Sequence, residues 1–441
     1  MDYSWIYLLV LVLPMLGYTA WQRHKQTRAL RQLEEATAAG LNEPPSLHPV
    51  IDPARCIGSG SCLPACPEGA LGMVAGKAVL INASACIGHG ACQPACPFDA
   101  ISLVFGTEKR GMEIPPLSPS FESTVPGIFI AGELGGMGLI RKAAEQGRQA
   151  MDGIKALCEA KAAGAAAFDI DVLIVGCGPA GISAGLAAKA HGLRYRLIEQ
   201  EDALGGTVYH YPRNKIAMTA PVELAIIGKV KFGEVQKEKL LAFWQQVVAK
   251  TQLQIHFSER MDDVVPLDGG GFTVKVSQGE RQVEHRACTV LLAMGRRGTP
   301  RKLEVPGESQ SKVVYRLADP AQYAGQAVLV VGGGDSALEA AIALADERGT
   351  EVTLSYRSAA FSRVKGKNRS GLESRQKSGR IQVLLESKIQ RIGEHDVQID
   401  VGKGAIRTLR NDAVIVCAGG LPPTPLLQKI GIAFVTKHGE V

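Results

Sequence analysis

Six of the ten cysteines in this 441-residue chain sit in a phrase that is spoken twice. Cys56-Ile-Gly-Ser59-Gly-Ser-Cys62-Leu-Pro-Ala-Cys66-Pro67 is followed thirty residues later by Cys86-Ile-Gly-His89-Gly-Ala-Cys92-Gln-Pro-Ala-Cys96-Pro97. Thiolates so spaced bind soft metals. The pattern is Cys-x2-Cys-x2-Cys-x3-Cys-Pro, the run that holds iron–sulfur clusters, with its second cysteine replaced by Ser59 in one copy and His89 in the other. Zinc ribbons use paired Cys-x2-Cys knuckles instead, so iron–sulfur chemistry is the stronger reading and zinc the weaker one. Each run carries three thiolates and one vacated position. A three-iron cluster, or a four-iron cluster with an oxygen or nitrogen ligand from Ser59 or His89, would both satisfy it.

A second kind of chemistry is written in glycine. Asp169 to Val175 reads as a strand, and Gly176-Cys-Gly178-Pro179-Ala180-Gly181 as the tight turn that opens a helix running to about His191. Such a turn lets backbone amides and a helix N-terminus approach a pyrophosphate. A second strand, Tyr195 to Ile198, ends in Glu199, which lies 23 residues after Gly176. That is near the ~20-residue offset of the acid that grips ribose hydroxyls. The pattern recurs: strand Ala327 to Val331, turn Gly332-Gly-Gly334-Asp-Ser336-Ala337, helix to about Asp346, strand Glu351 to Tyr356. Here the partner strand ends in Arg357, with Arg363, Lys365 and Lys367 close behind. Arginine at this place suits the 2′-phosphate of NADPH, so NADPH is favoured over NADH.

The doubled cysteine phrase resembles a two-cluster bacterial-type ferredoxin. That resemblance implies crossed ligation, with Cys56, Cys62 and Cys96 on one cluster and Cys86, Cys92 and Cys66 on the other. The two glycine turns, together with Gly205-Gly206-Thr207 and Cys288 to Pro300, resemble the thioredoxin-reductase-like flavoproteins, which bind FAD and NAD(P). In that family a segment of the type Pro-Gly-x-Phe-x-Ala-Gly-Asp stands near the C-terminus and holds FAD. The similar stretch here, Thr124-Val-Pro-Gly-Ile-Phe-Ile-Ala-Gly132-Glu133, stands before the first nucleotide fold instead, with glutamate for aspartate. The missing ending and the misplaced ending are one element, which implies a circularly permuted flavoprotein; permutation is tolerated where termini lie close together. Bacillithiol-reductase-like proteins are similar too, around Tyr209 to Pro212 and Tyr356-Arg357, but their cysteine after the turn proline is Ala180 here. The Cys-x2-Cys and Cys-x4-Cys of other relatives are absent from the matching places. No catalytic side chain is therefore assigned beyond the flavin.

These groups need elements to position them. The composition, 46% hydrophobic and 21% charged, is that of a chain with real cores, and a net charge of +6 is too mild to suggest nucleic acid. Tyr3 to Trp21 carries no charge, and nineteen helical residues span ~28 Å, about a hydrocarbon core. With Arg23, His24, Lys25, Arg28 and Arg31 following, the positive-inside rule predicts a single-pass anchor in the inner (cytoplasmic) membrane, N-terminus outside and catalytic body in the cytoplasm. The expected division is a transmembrane anchor at 1–22, a juxtamembrane helix and linker at 23–48 and a ferredoxin-like module at 49–106. The permuted FAD-domain element at 107–157, a linker at 158–168 and an FAD-binding domain at 169–303 follow, then an NAD(P)-binding domain at 304–420 and a return to the FAD domain at 421–441. The fold class expected is α/β with two Rossmann-like dinucleotide-binding domains, plus a small α+β ferredoxin-like domain and one N-terminal transmembrane helix. The function expected is an oxidoreductase moving electrons between NAD(P)H and a one-electron carrier through FAD and two iron–sulfur clusters. The carrier would be a ferredoxin, a quinone or a membrane redox protein, and a homodimer is left open. The rival readings are a thiol or small-molecule reductase with structural clusters, using Cys288 or Cys417, and a non-catalytic redox sensor.

Overall fold

The structure, a computed structural model, describes residues 4–38, 43–44, 47–108, 111–136, 138–162, 168–213, 215–218, 221–231, 233–296, 300–361, 364–402 and 404–439. Helix α1 (Ser4–Ala38) runs unbroken through Pro14. Its polar half is not a free tether. Ala29 and Ala36 are buried, and a Cβ added to Gly72 would come within 3.0 Å of the Ala29 methyl, so the helix rests on a place that only glycine leaves open.

The anchor expected at the N-terminus is corrected here. No helix among the described residues is long and apolar enough to cross a membrane. Side chains before Val12 lie outside the described residues. The membrane location, the N-terminus-outside topology and the transmembrane part of the fold class fall with the anchor.

The cysteine module is built of two short hairpin-like pairs. Strand β1 (His48–Ile51) pairs antiparallel with β4 (Ile101–Val104), and β2 (Leu71–Val74) pairs with β3 (Lys77–Leu80). The one-turn helix α2 (Cys62–Ala65) follows the first glycine loop. The core between the strands is small: Leu71, Ala78, Ala100 and Ile101, with Cys56, Cys62 and Cys92 packed among them. A core this small contributes little folding energy without cross-links or metals.

Strand β5 (Met112–Ile114) leads to β6 (Ile128–Ile130), fully buried, and then to α3 (Ile140–Ala162), which continues past Leu157, where the sequence suggested its end. The first nucleotide fold follows as β7 (Ile170–Val175), α4 (Pro179–Ala190) and β8 (Tyr195–Ile198). A segment of short strands comes next: β9 (Ile216–Met218), β10 (Val222–Leu224), β11 (Gly228–Val230) and β12 (Glu234–Gln236), closed by α5 (Lys237–Thr251). Then β13 (Arg260–Pro266), β14 (Phe272–Gln278) and β15 (Arg281–Leu292) form a meander. The long strand β15 organises the sheet. Its first half pairs antiparallel with β14, its second half pairs parallel with β6, and β7 lies parallel on its other side. The element that precedes the first nucleotide fold in sequence thus completes that fold's sheet, as the permutation predicts.

The second nucleotide fold is a five-stranded parallel sheet. Its order is β16 (Val313–Val314), β23 (Ala413–Val416), β17 (Ala327–Val331), β18 (Glu351–Ser355), β19 (Ile381–Leu384), with α6 (Asp335–Ala345) and α7 (Gly366–Lys377) on one face. The antiparallel β20 (Lys388–Ile392), β21 (Asp396–Asp400) and β22 (Ile406–Arg410) cover the other. The chain then returns. In α8 (Thr424–Lys429) and just beyond, Leu427, Ile430 and Ile432 pack with Ile128 and Ile130, and β24 (Val435–Lys437) pairs with β5. Lys429 meets Asp263 at 2.7 Å.

Candidate functional site

Three turns converge at the carboxyl edge of the first sheet, the place where open α/β sheets bind ligands. They leave β7 at Gly176, β6 at Gly132 and β15 at Gly295. They are tied together: Gly176 N–H donates to the Ile198 carbonyl, Ala293 N–H to Val175 and Ala131 N–H to Leu292. Gly176 has φ of 99°, and a side chain there would strike the Ala293 carbonyl. A Cβ on Gly181 would stand 1.8 Å from the Gly176 carbonyl oxygen, so Gly181 is needed for packing of the turn rather than for contact with a ligand. Gly178, by contrast, caps α4 and meets nothing closer than 3.9 Å, the Gly206 Cα; this is the open cradle a pyrophosphate needs. Pro179 takes the first helical position and Ala180 is buried beneath it.

Glu199 stands at the end of β8 and is 6% exposed. Its carboxylate accepts the Cys177 amide at 2.8 Å and the Glu201 amide at 3.2 Å, which locks the turn to the strand. Replacing Glu199 with alanine leaves two amides without an acceptor and should cost about 1–3 kcal/mol. The measurement is retained flavin and Tm of the purified variant, both expected to fall. Cys177 is wholly buried, and burial pushes its thiol up. It is a packing residue.

The permuted element meets this turn directly. Gly132 (φ 85°) faces Ala180, the Gln146 side chain accepts its amide at 2.8 Å, and Glu133 begins the short turn that follows. Helix α3 crosses α4 at very close range, for a Cβ on Gly147 would lie 2.1 Å from the Ala180 carbonyl oxygen. Gln146 and Gly147 escaped sequence reading. The signal was present in the small residues Ala143, Gly147 and Ala150 along one face.

The second edge repeats the first. Gly332 (φ 149°) packs against the Cys417 carbonyl, and Gly334 caps α6 with nothing within 4 Å. Ser336 is exposed at that helix start, whereas Ala337 is fully buried and belongs to the core. Arg357 is exposed just beyond β18. Arg363 lies outside the described residues, as do Arg297, Gly298 and Thr299 of the stretch after β15.

In the module, the doubled phrase is a doubled backbone. Gly58 and Gly88 share φ of 80°, Gly60 and Gly90 share 73°. A Cβ on Gly58 would lie 2.2 Å from the Gly76 carbonyl oxygen, which ties this loop to the β2–β3 turn. Cys62 feels Cys56 and Cys96, while Cys86 and Cys92 each feel Cys66; burial is the main reason the Cys62, Cys86 and Cys92 thiols are pushed up. A metal would remove that penalty by taking the protons. Cys66 lines one pocket with Cys86 and Cys92, the crossed arrangement that the ferredoxin resemblance implies for that site. Among the described residues no three side chains converge tightly enough for a single ion. Clusters of several irons place each thiolate on a different metal and space them more widely.

Cys66, Cys86 and Cys92 line one narrow pocket, partly open to solvent. His89 lines it too, with His48 and Glu68, two polar groups that sequence spacing did not single out. Burial lowers the proton affinity of His89; Glu68 opposes this, and Arg141 of α3 and Lys365 of the second nucleotide fold reinforce it. Ser59 differs: it is exposed and hydrogen-bonded to the Ser61 hydroxyl at 3.1 Å, and Ser61 in turn donates to Ala95 at 2.7 Å.

Residues 48–97 match the 4Fe-4S dicluster domain, and residues 173–440 match the family described as Pyridine nucleotide-disulphide oxidoreductase. The ferredoxin–NADP reductase of Thermus thermophilus is 30% identical over 279 residues, 61% of this chain and 78% of that protein. The bacilliredoxin reductase Bdr of Bacillus subtilis is 26% identical over 273 residues, covering 61% and 82%. Among solved structures, the bacillithiol disulfide reductase Bdr of Bacillus cereus aligns with a TM-score of 0.54 at 25% identity, covering 59% of this chain and 81% of the other. The chain spans about half the length of other curated relatives it matches. With two glycine turns at two parallel-sheet edges and a match over most of its length, this chain belongs to the pyridine nucleotide-disulphide oxidoreductase family and is an FAD-dependent oxidoreductase that carries a 4Fe-4S dicluster domain.

Proposed function

We propose that the protein moves electrons between NADPH and a soluble one-electron carrier, by way of FAD and two clusters in the module. The observation that carries this reading is the combination in one chain of two glycine-turn nucleotide edges with a module in which Cys66, Cys86 and Cys92 line one pocket. When bound, FAD supplies the means to exchange a two-electron hydride for single electrons, and the protein's part is positioning and tuning. Gly176, Gly178, Glu199, Gly206, Gly132 and Glu133 would hold FAD. Gly332, Gly334, Ser336 and Arg357 would hold NADPH. The six cysteines would hold the clusters. The ferredoxin–NADP reductases among the relatives support the class of carrier.

The thiol-reductase rival is weaker at Cys288 than at Cys417. Cys288 lies with Cys158 beside Asp171, at the amino end of β7, and the five residues from there to Gly176 span about 17 Å, whereas Cys417 stands beside Gly332 at the second edge. Stopped-flow mixing with NADPH tests the reading. Flavin bleaching followed by cluster bleaching is expected; disulfide turnover with silent clusters would replace it with the rival.

Replacing Arg357 with glutamate tests the nucleotide preference. Losing charge-assisted bonds to the 2′-phosphate costs about 1.5–3 kcal/mol, so KM for NADPH should rise roughly 10- to 150-fold. KM for NADH should stay nearly constant, and an equal rise for both would refute the NADPH preference.

A further inference from the structure

The two cysteine sites are not equivalent, although their sequences and backbones repeat. In the site of Cys66, Cys86 and Cys92 the side chain at the vacated position, His89, forms part of the cavity wall, half-buried. In the site of Cys56, Cys62 and Cys96 the corresponding side chain, Ser59, is exposed and bonded to its neighbour Ser61. The loop around His89 has the same φ angles as the loop around Ser59, so the difference is one of side chain and surroundings. An imidazole reaches further than a serine hydroxyl and offers a neutral nitrogen that binds iron, as the paired histidines of Rieske centres do.

We propose that His89 is the fourth protein ligand of the Cys66, Cys86, Cys92 cluster, and that the Cys56, Cys62, Cys96 cluster has three protein ligands only. This rests on the cluster-bearing reading above. His48 lines the same cavity at the start of β1, but it stands outside the cysteine loop that wraps the site. Nitrogen in place of a thiolate also removes one negative charge from the histidine-ligated centre, which raises its potential above that of an all-thiolate cluster.

The test uses the intact protein, purified without oxygen after growth on ¹⁵N-histidine. Pulsed paramagnetic resonance of the reduced protein should show ¹⁵N coupling on one of two centres, and the coupling should vanish in His89→Cys while persisting in His48→Ala. Ser59→Cys should alter only the spectrum of the other centre. Because the labelled unaltered protein reads nitrogen ligation directly, only the choice of His89 over His48 rests on the variants. Two clusters with no nitrogen coupling, or coupling that survives His89→Cys, overturns the ligand assignment while leaving the electron-transfer reading intact. A protein without iron and sulfide overturns both.

Discussion

Serine in place of Cys86 is expected to cut reduction of a one-electron acceptor by more than about 100-fold while changing flavin reduction by NADPH less than about twofold. Cys86 is buried, and its thiol is pushed up by burial and by its neighbour Cys66. A serine hydroxyl is a harder and far less acidic ligand, so it holds iron much more weakly than the thiolate it replaces. Because the module has so small a core, loss of the cluster also loosens β1 to β4. The nucleotide edges are built from separate cores and should still accept hydride. The measurement pairs a steady-state acceptor assay with stopped-flow flavin bleaching. If acceptor reduction survives with one cluster missing, that cluster is not on the electron route.

Alanine at Gly147 should lower Tm by roughly 5–10 °C and release the flavin, a large effect for one methyl group. The added Cβ would lie 2.1 Å from the Ala180 carbonyl oxygen, in the turn of α4 against which Gly132 is held. Backbone cannot yield there without moving α3 away from α4. Gln146, the neighbour that accepts the Gly132 amide, would move with it. Overpacking of this kind costs about 1–3 kcal/mol or more. Thermal melts with and without added FAD check it. Unchanged Tm and full flavin content would mean that α3 does not seat on the nucleotide turn as described.

The nucleotide folds were legible because a period-2 or fully apolar strand, a glycine turn and a small-residue helix follow each other at fixed offsets. β7, β8, β17 and α4 all begin and end within a residue or two of the expected limits. The continuation of α3 past Leu157 was less legible. The alanine- and lysine-rich stretch there reads equally as helix or linker, and burial of its neighbours Ile154 and Met151 decides. The apolar N-terminal run misled for a related reason: hydropathy over a window says nothing of whether the helix also carries a docked polar half, as α1 does at Ala29 and Ala36.

By itself the sequence determined the types of chemistry: six thiolates at iron–sulfur spacing, two phosphate-binding turns, an arginine after the second, and no dithiol where relatives place one. It also determined that Thr124 to Glu133 was out of its usual order. Only the tertiary structure decided that β6 enters the sheet beside β15, that Cys66 shares a pocket with Cys86 and Cys92, and that His89 lines that pocket while Ser59 faces water. The reason is physical. Residue type and local spacing set what a side chain can bind, whereas strand pairing and burial, which join residues more than a hundred positions apart, set which side chains meet.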